Sequence, residues 1–160
     1  MINPKHIEEL IKLINSSPYY QLLSMVMQDI GIGYSTIHLD LATKHLSPYQ
    51  AIQGGVYSSL IDAAAYWAVY SELDPESGLI TMDVTVHNLA SIKSGKMTVK
   101  GKRIKVGRTI CLAEATIETQ EGRILAQGSS KLLVTQGLQT IEQLASLSNT
   151  TLPPKFIPGP

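Results

Sequence analysis

An α+β fold, with an antiparallel sheet wrapped around one long central helix, is what this 160-residue sequence predicts. Three observations carry the prediction. QGGVYSSLIDAAAYWAVY, residues 53 to 70, reads as a helix of about five turns and is apolar nearly all round, so it should be buried. After it come four segments of strand character, LITMDVTVHNL, KMTVKGKRIKV, RTICLAEATIET and RILAQGSSKLLV, with turn signals at Gly95, Gly107 and Glu121-Gly122. Hairpin-length connections require an antiparallel sheet. Finally, Ala63-Ala64-Ala65 is both helix-forming and slim, which lets strands wrap the helix closely.

The remaining elements follow in order. Asn3-Pro4 is an N-cap and first-turn pair, and Ile7, Leu10, Ile11 and Ile14 continue at amphipathic helical spacing. Ser17-Pro18 opens a shorter helix to about Met25. VMQDIGIGY and STIHLDLA alternate as strands, with Gly31 and Gly33 marking a tight reversal. The loop TKHLSPYQAIQ leads into the central helix. In the β segment at 96–106, basic residues shift from even positions (Lys96, Lys100, Lys102) to odd (Arg103, Lys105), and Gly101 at the slip suggests a bulge. A helix over about Leu138 to Leu147 and a loosely packed or disordered Pro-rich tail close the chain. The expected organisation is a single domain over 1–160: N-terminal helices to residue 25, a core over 26–135, then the C-terminal helix and tail.

Composition narrows the function classes. Formal net charge is zero, which removes the global argument for nucleic-acid or anionic-membrane binding. Cys111 is the only cysteine, so no internal disulfide or cysteine-based metal site is possible, and the four histidines show no ligand spacing. His6, His38 and His45 read as core-satisfied or solvent-facing side chains; no metal is expected. MINPKHIEELIKLI is wrong for a signal peptide, and no uncharged apolar run reaches about eighteen residues, so a cytoplasmic protein with no membrane span is expected. Lys93 to Arg108 holds seven of the thirteen basic residues. This is either the solvated outer face of a strand or a local phosphate-binding patch. The stretch lacks the aromatics that single-stranded nucleic acid would stack on.

Asp62 is the only charged residue of the central helix. Gly55, Ser58, Ser59, Asp62 and Tyr66 fall on one stripe, which is either the wet side of an amphipathic helix or the wall of a polar cleft. Ser and Tyr line a cleft without filling it, and the missing Lys and Glu argue for seclusion. At the helix start, Gln53-Gly54-Gly55 offers free amides and the positive end of the dipole to a developing oxyanion. A carboxylate plus an amide hole suits acyl transfer, with Asp62 as general base on a water or as nucleophile.

HLSPYQAIQGGVYSSLID resembles the H-L-N-P-x-G-x-x-H-G-G-x-x-x-x-L-x-D signature of the hotdog-fold acyl-CoA thioesterases of the phenylacetate-degradation type. His45, Leu46, Pro48, Gly54, Gly55, Leu60 and Asp62 match in register. The resemblance runs from about Gln28 to Val134 and takes in Thr81, Asp83, Gly107-Arg108-Thr109 and GRILAQG. It implies a hotdog fold and hydrolysis of acyl-CoA to acid and free CoA. Coenzyme A is then part of the substrate, and no separate cofactor is needed. It also implies that Asp62 activates water, the Gly54 amide polarises the thioester carbonyl, Thr81 holds the water, and Gln53 and Ser47 orient the site. CoA would lie over the outer strands, with Lys105, Arg108 and Ser129 as candidate contacts. Four positions depart from the signature: Gln53 replaces its histidine, Ser47 its asparagine, Gln50 its loop glycine, and NLAS at 88–91 its aromatic-L-R-P. Gln53 can donate and accept a hydrogen bond but cannot carry a proton. The lost histidine and asparagine favour a rival reading, a non-catalytic acyl-CoA-binding module. The missing histidine argues against a third reading, an acyl-thioester dehydratase.

Helix geometry adds an expectation about assembly. Gly54 and Asp62 lie roughly 12 Å apart along one helix, too far to serve one carbonyl. Two antiparallel copies of the helix about a two-fold axis bring each glycine to the partner's aspartate, so a homodimer or a dimer of dimers is expected.

Overall fold

The computed structural model describes residues 1–159. Asn3 caps α1 (Pro4–Asn15) by accepting from the Lys5 amide, and Pro4 fills the first position. Helix α2 (Pro18–Leu23) follows, then the hairpin of β1 (Val26–Gly31) and β2 (Tyr34–Asp40), which turns through Gly33 at φ 77°. A 3₁₀ turn at Thr43–His45 leads to α3 (Gly54–Tyr70). Strands β3 (Ser77–Asn88), β4 (Lys96–Lys105), β5 (Ile110–Thr119) and β6 (Ile124–Gln136) come next, and α4 (Ile141–Leu147) closes the element order.

The six strands form one antiparallel sheet in the order β1-β2-β4-β5-β6-β3, wrapped around α3. This is the hotdog architecture. β4, β5 and β6 are joined as successive hairpins, but β3 does not pair with β4. It crosses to the far side and pairs with β6 from Ser77 to Asn88, which leaves its other edge without a strand among the described residues. Ten of the seventeen residues of α3 are buried, including Leu60, Ile61, Ala64, Ala65 and Ala68, each with no solvent exposure. Burial of such side chains, at about 25 cal/mol per Å² of apolar surface, is what holds the helix in the sheet.

Three local expectations are corrected. The irregularity in β4 lies between Arg103 and Lys105, not at Gly101, which pairs regularly with Ser35 and Ala115. Gly101 has a different reason to be glycine: a Cβ there would stand 2.3 Å from the Ala64 carbonyl oxygen, so α3 sits directly on that backbone. The Ser35 hydroxyl donates to the same carbonyl at 2.7 Å. Second, α4 begins at Ile141 rather than Leu138, because Thr140 and Gln143 form a reciprocal capping box.

Third, the Pro-rich tail is not loose. The Asn3 amide donates to the Lys155 carbonyl and the Ile157 amide to the Met1 carbonyl. Lys155 is only 4% exposed and its Nζ donates to the Tyr70 and Leu73 carbonyls, both at 2.6 Å, closing the C-terminal end of α3. Burial pushes its ammonium down to about 8. His6 is a satisfied core residue: Nδ1 donates to the Pro153 carbonyl and Nε2 accepts from the Tyr70 hydroxyl, each at 2.6 Å. Among the described residues no helix is long and apolar enough to cross a membrane.

Candidate active site

Asp62 sits at the middle of α3, half-buried, on the one stripe of that helix that the sheet leaves uncovered. Gly55 is exposed and Ser58, Ser59, Asp62 and Tyr66 are half-buried, as the stripe predicted. Thr81 on β3 donates its hydroxyl to Asp62 Oδ1 at 2.9 Å. The other oxygen, Oδ2, meets no donor of the described chain and is free for a water or a reacting carbonyl. Desolvation raises the Asp62 carboxyl above the ordinary carboxylate range, and the Thr81 hydrogen bond partly offsets the rise. A carboxylate raised in this way is a better proton acceptor than a solvated one.

The carboxylate opens into a depression of about 300 Å³ walled by Tyr19, Tyr20, Ser59, Tyr66 and Trp67. Tyr19 donates to Ser59 Oγ at 2.7 Å, and the Ser59 hydroxyl donates to the Gly55 carbonyl at 3.0 Å. Trp67 Nε1 donates to the buried Tyr20 hydroxyl at 3.1 Å. Burial holds Tyr66 up at about 12, with the Asp62 charge adding to the effect, so this phenol stays protonated beside the carboxylate. Tyr19 and Tyr20 escaped the sequence reading because α2 reaches Asp62 only through the fold.

The Gly54 end of the helix is held separately. His45 is buried: its Nδ1 accepts from the Ala42 amide at 2.9 Å, and its Nε2 donates to the Leu23 carbonyl at 2.7 Å. Its own carbonyl accepts from the Gln53 amide, so this histidine fixes where the helix begins. Gln50, standing where the resemblance has glycine, takes φ 58°, at a cost of about 1 kcal/mol for a side chain in the left-handed region. Ser47 Oγ accepts from the Tyr49 amide at 3.3 Å. The Gln53 side chain is exposed and caps nothing. The Gly54 and Gly55 amides have no acceptor within the described chain, as first-turn amides do unless capped. A Cβ on Gly54 would lie 2.8 Å from Asn88 Nδ2, so the Asn88 carboxamide lies directly over this glycine. That neighbour had no signal in the sequence, since it depends on how β3 ends.

Gly54 lines a second depression, with Ile52, Tyr57, Asn88, Leu89, Ala90 and Ser91, and none of these residues borders the Asp62 depression. Within one chain, then, the fold brings Thr81 to Asp62 but keeps Gly54, Gln53 and Ser47 apart from both. Lys105 and Arg108 are exposed at the β4–β5 turn, and Ser129 is exposed on the outer face of β6. By register, Lys105 and Ser129 are two strands and two residues apart, roughly 12 Å between Cα atoms. In the basic cluster, Lys100 pairs with Glu118 and Arg103 with Glu72, whereas Lys105 and Arg108 have no carboxylate partner among the described residues.

Comparisons with known proteins agree with this architecture. A family model described as the Thioesterase superfamily matches residues 49–126, from the loop before α3 into β6. The chain is 23% identical over 93 residues to a 1,4-dihydroxy-2-naphthoyl-CoA hydrolase of Listeria monocytogenes, covering 58% of this chain and 76% of that protein. A solved thioesterase of Haemophilus influenzae superposes with a TM-score of 0.74 at 21% identity, over 82% of this chain and 92% of the other. A mutant thioesterase of Pseudomonas aeruginosa gives 0.74 at 17% identity, over 80% and 93%. At such identities the structural likeness speaks for the fold. Together, residues 49–126 are similar to the Thioesterase superfamily and the chain shares the hotdog fold of solved thioesterases.

Proposed function

We propose that this protein hydrolyses acyl-CoA thioesters to the free acid and CoA. The observation that supports it best is the lone Asp62 carboxylate, half-secluded, held by Thr81 and open on its second oxygen to a walled depression. As general base, Asp62 takes a proton from water while the water oxygen adds to the thioester carbonyl. The resulting oxyanion is held by the Gly54 amide of a partner chain, next to the Asn88 carboxamide. Collapse breaks the carbon–sulfur bond, and the proton on Asp62 passes to the departing CoA thiolate. The alternative is direct attack by Asp62 Oδ2, giving an anhydride that water then opens. Release of free thiol from a panel of acyl-CoA compounds tests the proposal; no release from any member removes it.

A second reading, acyl-CoA binding without turnover, is favoured by one feature. Gln53 and Ser47 offer no proton carrier, and the Ser47 oxygen accepts from the Tyr49 amide. The same thiol assay separates the two readings, because a binding module holds CoA and releases nothing.

Two further results are expected. Removing the Thr81 hydroxyl in Thr81→Val deletes the hydrogen bond that favours the ionised carboxylate, so the acid limb of the kcat/KM profile should move to higher pH. An unmoved limb would show that Thr81 does not act on the catalytic base. Arg108→Ala should raise KM for acyl-CoA several-fold with little change in kcat, because a phosphate contact remote from the carbonyl is uniform binding. If the variant binds CoA as tightly as the parent, the basic turn is only a solvated sheet face.

A further inference from the structure

A third, more apolar cavity of about 300 Å³ lies between the C-terminal half of α3, the start of β3 and α4. Its walls include Tyr66, Trp67 and Leu79, and Ile141, Leu144 and Leu147 of α4 form its roof. No charged residue lines it. Tyr66 and Trp67 are also walls of the Asp62 depression, so this aromatic pair stands between the two spaces. Tyr66 follows Asp62 by one turn, roughly 6 Å along the helix, and the cavity continues from there toward Leu73.

We propose that this cavity takes the alkyl chain of a medium-chain acyl-CoA whose thioester lies at Asp62. The assignment rests on the acyl-CoA reading above and names its substrate class. Three features support it. An uncharged, largely apolar space beside a polar reaction centre fits a hydrocarbon tail and rejects a second charged group. If a methylene occupies on the order of the ~30 Å³ of a water molecule, about 300 Å³ holds a chain of roughly eight to ten carbons. The roof comes from α4, whose residues follow the stretch that the thioesterase model matches. Tyr66 and Trp67 therefore line an apolar cavity as well as the cleft, whereas Met82 on β3 is 52% exposed and lines neither space.

Non-hydrolysable ethyl, hexyl and decyl thioethers of CoA test the assignment on the intact protein. Calorimetry should show decyl binding at least about a hundredfold tighter than ethyl, since each buried methylene adds affinity. Trp67 is the chain's only tryptophan, and its emission should change with the decyl but not the ethyl compound. Leu144→Trp fills the cavity from the roof and should erase most of the gain while leaving ethyl binding unchanged. Equal affinity across the series, or a Leu144→Trp protein that keeps the full preference, would show a packing void only. Should that variant not fold, the wild-type series decides: a chain-length gain without a Trp67 response overturns the placement. Chain-length-dependent binding without thiol release would remove the hydrolase reading and keep the cavity's assignment. Thiol release indifferent to chain length would do the reverse.

Discussion

Asp62→Asn is expected to cut hydrolysis by at least about a hundredfold while leaving the fold and CoA binding intact. The asparagine keeps an oxygen to accept from Thr81 and loses only the basic lone pair and the charge. Stability gives a second, independent readout. Burial raises the Asp62 carboxyl above its ordinary 3.8, so between that value and the folded one the native state binds more protons than the unfolded chain. Stability contributed by this group is therefore lost as pH rises through that window, and above it the ionised carboxylate is a burden on the fold. The Asn variant should accordingly melt no lower than the parent at pH 7, and its advantage should shrink in acid below the window. A dead but stable variant marks a residue kept for chemistry. Near-parental turnover would end the proposal, and a large drop in melting temperature would assign Asp62 to structure instead.

How far the sequence carried this reading depends on whether a feature is local. The central helix was legible because it lacks Lys and Glu, and the uncovered stripe followed from 3.6-residue periodicity alone. The Gly31–Gly33 reversal and the hairpins of β4 to β6 rest on turn residues and were legible too. The partner of β3 was not, since alternation says that a segment is a strand and nothing about which strand it joins. Gly101 was misassigned for a related reason. A slip of charge pattern and a close approach by a helix both call for glycine, and only the packing of Ala64 tells them apart. The tail was misjudged because a lysine among prolines looks solvated, yet Lys155 is buried against the end of α3. In the candidate site, Asp62 stood out by charge contrast. Its tie to Thr81, nineteen residues away, came only from the resemblance, and Asn88 over Gly54 needed the end of β3 in place. The alkyl-chain cavity was least legible of all, since its walls come from three elements far apart in the chain.

Mixing two inactive variants should restore about a quarter of wild-type activity if the proposed site is shared between chains. Gly54 and Asp62 lie roughly 12 Å apart along one helix and open into depressions with no common wall, so a single chain offers no position for a carbonyl to meet both. The β3 strand that carries Thr81 has a free edge among the described residues, where a second copy can add a strand beside the helix. One parent is Asp62→Asn. The other is Gly54→Pro, which deletes the oxyanion amide at the first helical position, where the helix backbone tolerates proline, although its Cβ requires the Asn88 carboxamide to shift. The preceding Gln53 already has φ −69° and ψ 128°, the extended backbone that a following proline demands. Random reassortment makes half the dimers mixed. In each of these, one site pairs the intact glycine of one chain with the intact aspartate of the other, and the second site has lost both groups. Both parents must melt cooperatively and exchange subunits, which light scattering and a tagged-subunit pull-down establish beforehand. Under those conditions recovery near a quarter supports the shared site, while a mixture as inactive as its parents places both groups in one chain's site or removes one of them from the chemistry.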